Sequence, residues 1–215
     1  MTILIPDNSI VLFQGDSITD AERSRTDDSQ LGTGYAMFIS AWLSYLYPEK
    51  HIKFINKGIS GNRVKDLKSR WTEDCIALNP SILSILIGIN DTWRRYDNND
   101  PVSAEEFESD YRFILNRVKK ETSSKIILLE PFLIPTLPDR AIFREDLDPK
   151  IAIVRKLAYE FNALLVPLDG LFVNACSKRE PSFWAQDGVH PTLEGHVLIA
   201  KAWLDTFKSL YKFGI

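Results

Sequence analysis

The chain has 215 residues, 45% of them hydrophobic, and a formal net charge of −3 at pH 7. This length is enough for one domain, residues 1–215, with a sizeable core. Acidic and basic residues are mixed along the chain, which argues against nucleic acid as a partner, and no apolar run approaches the roughly 18 residues of a membrane span. The first ten residues lack the features of a secretory signal peptide, so we expect a cytoplasmic protein. Cys75 and Cys176 form neither a disulfide framework nor a metal signature.

Short β-rich segments alternate with longer helical patterns along the chain. Apolar runs predict five buried strands, at residues 10–13, 52–55, 82–86, 126–129 and 164–166. Three apolar sets recur at helical spacing: Val64, Leu67, Trp71, Cys75 and Leu78; Phe107, Tyr111, Ile114, Leu115 and Val118; and, after Pro191, Leu193, Val197, Ala200, Trp203, Leu204 and Phe207. The alternation predicts an α/β fold with right-handed crossovers and a parallel sheet that has helices on both faces.

Residues 131–149 break this pattern, because they contain the four prolines Pro131, Pro135, Pro138 and Pro149. An irregular segment of this length in a compact domain often borders a binding site, and an ordinary surface loop fits the composition equally well. Within the helical patterns, Trp42, Trp71, Trp203 and Cys75 are predicted to be core residues.

Polar, glycine-containing loops follow the predicted strands. The first strand runs into residues 15–17 (GDS), the second into residues 56–62 (NKGISGN) and the third into residues 88–91 (GIND), and residues 187–191 (DGVHP) precede the last helix. In an open parallel sheet, ligands bind beyond the carboxyl ends of the strands. Each loop alone has a simpler interpretation as a helix cap or a turn. Together they predict that Ser, Asp, His and Asn side chains meet at one edge of the sheet.

Ser17, His190 and Asp187 are a candidate nucleophile, base and orienting carboxylate. A hydroxyl becomes a good nucleophile only when a base takes its proton, and histidine performs this task near neutral pH. Asp187 stands three residues before His190 across a tight turn, from which it can reach the ring Nδ1 and fix the tautomer. His51 and His196 lack such a carboxylate and are predicted to be surface or structurally satisfied residues.

Acyl transfer also needs hydrogen-bond donors aimed at the developing oxyanion. The backbone N–H groups of Ser17 and Gly61 and the side-chain amide of Asn90 are candidates. Trp93 and Arg94 follow Asn90 closely, and an aromatic face beside a charged donor suits a sugar ring. The alternative is that Trp93 packs in the core and the arginine is solvated, and Trp184 has the same two interpretations.

These residues resemble the blocks of the SGNH (GDSL-like) hydrolase superfamily, which are named for Ser, Gly, Asn and His. The matching residues are Ser17, Gly61, Asn90 and His190, supported by GDSITD at 15–20, GIND at 88–91 and DGVH at 187–190. The match runs from Phe13 to about His196. The resemblance implies a three-layer α/β/α, flavodoxin-like fold and ester hydrolysis without a metal or another cofactor.

A narrower resemblance concerns the sequences LGTGY at 31–35, NKGISGN at 56–62, DLKSRW at 66–71 and GINDTWR at 88–94. They are similar to bacterial acetylxylan and acetyl-xylooligosaccharide esterases. This implies a serine esterase that removes short acyl groups, above all acetyl, from carbohydrate esters, with Asp16, Trp93 and Arg94 as substrate contacts. The chain departs from those enzymes at residues 131–149 and around residues 182–186, just before Asp187.

Two alternatives are open on the sequence alone. One is a broad short-chain esterase, thioesterase or lysophospholipase, in which Pro131, Phe132, Leu133, Ile134 and Leu137 would form an apolar acyl groove. The other is a non-catalytic, flavodoxin-like binding module, which would have no need of a Ser-His-Asp set. The predicted partner is a small-molecule ester, in the first place an acetylated sugar, and a homo-oligomer is compatible with the sequence.

Overall fold

The computed structural model describes residues 5–209, which contain a five-stranded parallel sheet. Its strands are β1 (Ile10–Gly15), β2 (Lys53–Asn56), β3 (Ile82–Leu86), β4 (Lys125–Leu129) and β5 (Leu164–Val166). Their order across the sheet is β2-β1-β3-β4-β5. The five predicted strands are confirmed to within two residues at each end. The chain order reverses between β1 and β3, and this is where an open sheet of this kind forms a crevice for ligands.

Helices cover both faces of the sheet. They are α1 (Ser17–Asp20), α2 (Tyr35–Leu46), α3 (Val64–Trp71), α4 (Ile89–Asp97), α5 (Ala104–Glu121), α6 (Arg144–Glu160), α7 (Leu168–Cys176), α8 (Pro181–Trp184) and α9 (Leu193–Lys208). Side chains of α2, α7 and α9 pack with Phe13 of β1 on one face, and those of α3 and α5 pack with Leu12 on the other. The predicted three-layer α/β/α arrangement is confirmed. No helix within the described residues is long and apolar enough to cross a membrane.

Three of the four residues predicted for the core are fully buried, namely Trp71, Cys75 and Trp203. Trp42 is 50% exposed, so the prediction for this residue was wrong. Helix α2 packs on the sheet through a stripe that includes Ile39 and Leu43. Trp42 lies about 100° around the helix from Leu43, because an α-helix has 3.6 residues per turn. The helical pattern of the sequence therefore did not show which face of α2 carries this tryptophan.

The second half of residues 131–149 is helical, which corrects the prediction of an irregular segment. A 3₁₀ helix covers Pro138–Phe143, and α6 follows it directly with Pro149 inside the helix. Pro149 is the sixth residue of α6, so it removes one backbone hydrogen bond, to the Glu145 carbonyl, close to the helix start. The helix can tolerate this loss because buried side chains such as Leu147 and Ile151 hold its first turns on the core.

Candidate active site

Ser17 lies just beyond the carboxyl end of β1 and is the first residue of α1. Asp16 caps this helix, because its Oδ1 accepts a hydrogen bond from the Ile18 N–H at 3.0 Å. Gly15 makes the turn possible, since a Cβ there would lie 2.2 Å from Thr19 Oγ1. The strand-to-helix turn therefore places the Ser17 hydroxyl at the edge of the sheet.

Ser17, His190 and Asp187 form a continuous hydrogen-bonded chain. Ser17 Oγ and His190 Nε2 are 2.9 Å apart, and His190 Nδ1 and Asp187 Oδ2 are 2.7 Å apart. The other carboxylate oxygen of Asp187 accepts the backbone N–H groups of His190 at 2.7 Å and Val189 at 3.0 Å. The turn itself thus holds the carboxylate that orients the ring. Folding brings the three side chains together although Ser17 and His190 are 173 residues apart in the chain.

The pKa values of His190 and Asp187 suit proton transfer along these hydrogen bonds. The hydrogen bond to Asp187 raises the pKa of His190 above its ordinary value, against partial burial, which lowers it. Partial burial acts to raise the pKa of Asp187, but hydrogen bonds from the His190 ring and from two backbone amides outweigh it and hold that pKa well below its usual range. Asp187 is therefore a charged partner for a ring that can accept a proton from Ser17.

His196 is a structurally satisfied residue and His51 is a surface residue, as predicted. His196 Nδ1 accepts the Tyr35 N–H at 3.3 Å, and the two rings stack with centroids 6.5 Å apart. Burial lowers the pKa of His196 to about 4, so its ring is neutral at pH 7. His51 is an exposed residue at the end of a 3₁₀ turn.

The turn from Asp187 to His190 depends on Gly188 and on the segment packed against it. Gly188 has a φ of +85°, a left-handed conformation that favours glycine. A Cβ there would lie 2.5 Å from the Ile134 carbonyl oxygen and 2.6 Å from Thr136 Oγ1. The Ile134 N–H in turn donates to the Gly188 carbonyl oxygen at 3.0 Å. The first half of residues 131–149 therefore supports the histidine loop.

The loops that carry Gly61 and Asn90 are joined by a direct hydrogen bond. Asn90 is buried near the start of α4, and its Nδ2 donates to the Asn62 carbonyl oxygen at 3.2 Å. Gly61 has a φ of +81°. Arg94, which also pairs with Asp97, lies beside this glycine, with Nη2 3.6 Å from the position of a Gly61 Cβ. Two predicted oxyanion donors and a predicted substrate contact thus share one corner of the site.

Trp93 borders the predicted base and also packs against the core. The ring centroids of Trp93 and His190 are 5.9 Å apart. The Arg140 guanidinium lies over the Trp93 ring, 4.4 Å from its centroid, and Phe143 packs edge-on at 6.0 Å. The 3₁₀ helix after β4 therefore packs two residues against Trp93. Trp93 is thus packed against the core, and contact with a substrate stays a prediction.

Asp16 is 1% exposed, so its side chain is not available at the surface of the site. Its Oδ2 has no hydrogen-bond partner within residues 5–209. Burial raises the pKa of Asp16 to about 7, against the Ile18 N–H and the nearby His190, which lower it. This burial does not fit the predicted direct contact between Asp16 and substrate. Asp16 instead fixes the turn that carries Ser17.

Comparison with known proteins places the chain in a family. Residues 13–198 match the model of the GDSL-like Lipase/Acylhydrolase family. The chain belongs to this family. The GDSL-like blocks identified in the sequence, from Ser17 to His190, all lie within the matched residues.

Relatives of this GDSL-like hydrolase include an acetylxylan esterase of Geobacillus stearothermophilus, which is 40% identical over 202 residues, or 90% of this chain and 91% of that protein. A crystal structure of an acetylxylan esterase from the same organism has a TM-score of 0.88 and 38% identity, covering 98% of this chain and 97% of that one. A Parabacteroides merdae protein described as a GDSL-like lipase has a TM-score of 0.91 and 35% identity, covering 96% and 98%. The chain is therefore a carboxylic ester hydrolase, and the non-catalytic binding module is set aside.

The apolar acyl groove considered for residues 131–138 does not exist in the described part of this hydrolase. Phe132, Leu133 and Ile134 are buried in the core, and Phe132 stacks on Phe172 of α7 with ring centroids 4.0 Å apart. Side chains that fill the core cannot also line a groove for a lipid chain. Leu137 is exposed, but it has no apolar neighbours from this set at the surface.

A cleft of about 490 Å³, lined mainly by charged and hydroxyl-bearing residues, opens beside the nucleophile of this hydrolase. Its lining includes Ser17, Asp20, Arg23, Arg25, Ser60 and His190. Sequence reasoning missed Arg23 and Arg25, because the chain between α1 and α2 has no periodic pattern. Arg140 was also missed, because the segment after β4 likewise has no periodic pattern. Asp20 lies within the GDSITD motif, which could have drawn attention to it.

Proposed function

We propose that this hydrolase removes acetyl groups from acetylated xylooligosaccharides through an acyl-enzyme on Ser17. The proposal is carried by the hydrogen-bonded chain from Ser17 through His190 to Asp187, in a protein 40% identical to an acetylxylan esterase. Solved structures of the Geobacillus esterase include catalytic mutants in which a serine, an aspartate or a histidine is replaced by alanine. That aspartate and that histidine are three residues apart, as Asp187 and His190 are here.

In the proposed reaction, Ser17 Oγ attacks the acetyl carbonyl carbon while His190 Nε2 takes the hydroxyl proton. The carbonyl oxygen becomes an oxyanion near the N–H groups of Ser17 and Gly61 and the amide of Asn90. The tetrahedral intermediate then collapses, and the sugar hydroxyl leaves with the proton from His190. A water molecule, deprotonated by His190, hydrolyses the acetyl-enzyme and releases acetate.

The surroundings of Ser17 support a sugar acetate better than a long acyl ester. The adjoining cleft is lined by charged and hydroxyl side chains, whereas two large apolar hollows lie elsewhere, on α2, α7 and α9. We assign Arg94 to a hydroxyl of the sugar, because it lies beside Gly61, and we assign Trp93 to the sugar's apolar face, because it lies beside His190. Binding energy from such remote contacts can lower the barrier at the carbonyl carbon.

Mass spectrometry of acetylated xylooligosaccharides incubated with the enzyme tests the proposal. We expect stepwise loss of acetyl groups with the wild type and none with Ser17→Ala. Ser69→Ala, on the exposed side of α3, is a matched control that should keep full turnover. Turnover by Ser17→Ala would contradict the nucleophile, and hydrolysis of simple acetates without deacetylation of the oligosaccharides would contradict the substrate.

A further inference from the structure

Asp20 joins the helix of the nucleophile to the loop that holds Gly61. Helix α1 is a single turn that begins at Ser17 and ends at Asp20, whose side chain is only 8% exposed. Asp20 Oδ2 accepts the Ser60 N–H at 2.9 Å and pairs with the Arg25 guanidinium. One carboxylate therefore connects the first turn after β1 with the residue that directly precedes Gly61.

Hydrogen bonds anchor the backbone on both sides of Gly61. The Ile59 N–H binds the end of β1, and the Asn62 carbonyl oxygen binds α4. Between these two anchors, Asp20 fixes the backbone of Ser60. The Ser60 N–H belongs to the planar Ile59–Ser60 peptide group, and only the Ser60 Cα separates this group from the Ser60–Gly61 peptide that carries the Gly61 N–H. With Ile59 and Asn62 also held, fixing the first peptide restricts the direction of the second.

The cost of burying the Asp20 carboxylate is offset by a cationic network. Arg25 pairs with Asp20, and Arg25 Nη1 and Arg23 Nε both donate to the Gly58 carbonyl oxygen, at 2.9 and 2.7 Å. A nearly buried carboxylate is tolerated when it is both paired and hydrogen-bonded. Its bond to a backbone N–H is charge-assisted, and such bonds are roughly twice as strong as neutral ones. The network thus makes a stiff bridge from residues 20–25 to the loop.

We propose that Asp20 is a positioning residue for the oxyanion hole, a role that rests on the proposed function of Ser17 and Gly61. It holds the Ile59–Ser60 peptide in place relative to Ser17, and the Ser60–Gly61 peptide begins at the next Cα, so that the Gly61 N–H points to the site where the oxyanion forms. Asp20 acts through this peptide and touches no reacting atom. Its loss should lower kcat rather than raise KM, since a displaced donor weakens binding of the transition state more than binding of the substrate.

Kinetics on a chromogenic acetate ester test this role. We expect Asp20→Ala to lower kcat by about 10–100-fold with KM changed by less than about twofold. Asp20→Asn keeps an oxygen acceptor for the Ser60 N–H and should recover most of the loss. Asp28→Ala is a matched control, because Asp28 pairs with the side chain of Lys57 in the same loop, and it should keep the wild-type kcat.

A double-mutant cycle with Asn90→Ala measures whether the kcat losses of the two substitutions are coupled. A merely structural role of Asp20 would give no such coupling. If Asp20 acts through the oxyanion hole, Asp20→Ala should cost clearly less in the Asn90→Ala background than in the wild type. Additive losses, a raised KM at unchanged kcat, or equal losses in Asp20→Ala and Asp20→Asn would overturn the proposal. Should Asp20→Ala fail to fold, Asp20→Asn decides alone: near wild-type kcat supports the hydrogen-bond role, and a loss beyond about tenfold overturns it.

Ser17→Ala, measured in the same assay, separates this inference from the proposed function. If Ser17→Ala retains turnover, the proposed nucleophile is wrong and the role of Asp20 falls with it. If Ser17→Ala is inactive while Asp20→Ala behaves like the wild type, only the role of Asp20 is overturned.

Discussion

At the scale of single residues, His190 sets the expected pH dependence of ester hydrolysis. Its hydrogen bond to Asp187 raises its pKa, against partial burial, so the neutral base appears only as the pH rises past this raised value. We expect kcat/KM to rise with pH through a midpoint above about 6.5. In Asp187→Asn the midpoint should move to lower pH, and kcat should fall by up to about 10⁴-fold because the amide favours the wrong tautomer. Profiles with coinciding midpoints would contradict the assignment of Asp187.

Asn90 is expected to act in the transition state. Asn90→Ala should lower kcat by about 10²–10³-fold, or about 2.7–4 kcal/mol, with little change in KM. Steady-state kinetics on a chromogenic acetate measure both constants, and Asn174→Ala, on the exposed side of α7, serves as the control. A large rise in KM at unchanged kcat would make Asn90 a contact of the bound substrate instead.

Asp16 is expected to make stability depend on pH. Burial raises its folded-state pKa from 3.8 to about 7, so folding favours the protonated acid, and the stability gained at low pH is lost as the pH rises from about 4 to about 7. Asp16→Asn removes this dependence. Relative to the wild type, the variant should therefore be more stable at pH 8 than at pH 5. The difference in the free energy of unfolding, variant minus wild type, should be larger at pH 8 by about 2 kcal/mol. Denaturant titrations at both pH values check this, and an equal difference at the two would contradict it.

At the scale of elements, the histidine turn and the segment after β4 form one unit. An alanine Cβ at Gly188 would meet the Ile134 carbonyl oxygen at 2.5 Å, at a φ that alanine disfavours. Gly188→Ala should therefore destabilise the protein by about 1–3 kcal/mol and displace His190, with a fall in kcat. Melting curves and kinetics measure the two effects.

Gly170→Ala is the matched control for this change. Gly170 lies on the exposed side of α7, where a Cβ would meet no described atom within 4 Å. Alanine there should leave activity intact and stabilise the protein by about 0.4–1 kcal/mol, because it reduces the freedom of the unfolded chain. Equal melting temperatures for the two variants would show that the turn does not depend on glycine.

At the scale of the whole molecule, the distribution of apolar surface predicts the acyl chain length. The apolar side chains of residues 132–134 are buried in the core, and the large apolar hollows lie on α2, α7 and α9, with neither Ser17 nor His190 in their lining. We therefore expect kcat/KM for 4-nitrophenyl esters to fall steeply from acetyl to octanoyl. Faster hydrolysis of the octanoyl ester would favour a lipase-like enzyme.

The sequence by itself determined the sheet and the principal residues of the candidate site. The strands are buried on both faces, so they stand out as apolar runs such as residues 126–129. Helical periodicity marked the covering layers, and together these patterns imply a parallel sheet whose carboxyl ends share an edge. Ser17, Asn90 and His190 follow from that rule, because each lies in a polar loop next to a recognisable element.

Only the tertiary structure decided what surrounds those residues. Asp20 contacts Ser60 across 40 residues of chain, Arg140 covers Trp93, and Ile134 supports the histidine turn. These contacts involve segments without periodicity, whose paths depend on the elements they pack against. Trp42 illustrates the same limit, because local spacing predicts a helix, but the face that becomes buried is set by the sheet and the neighbouring helix.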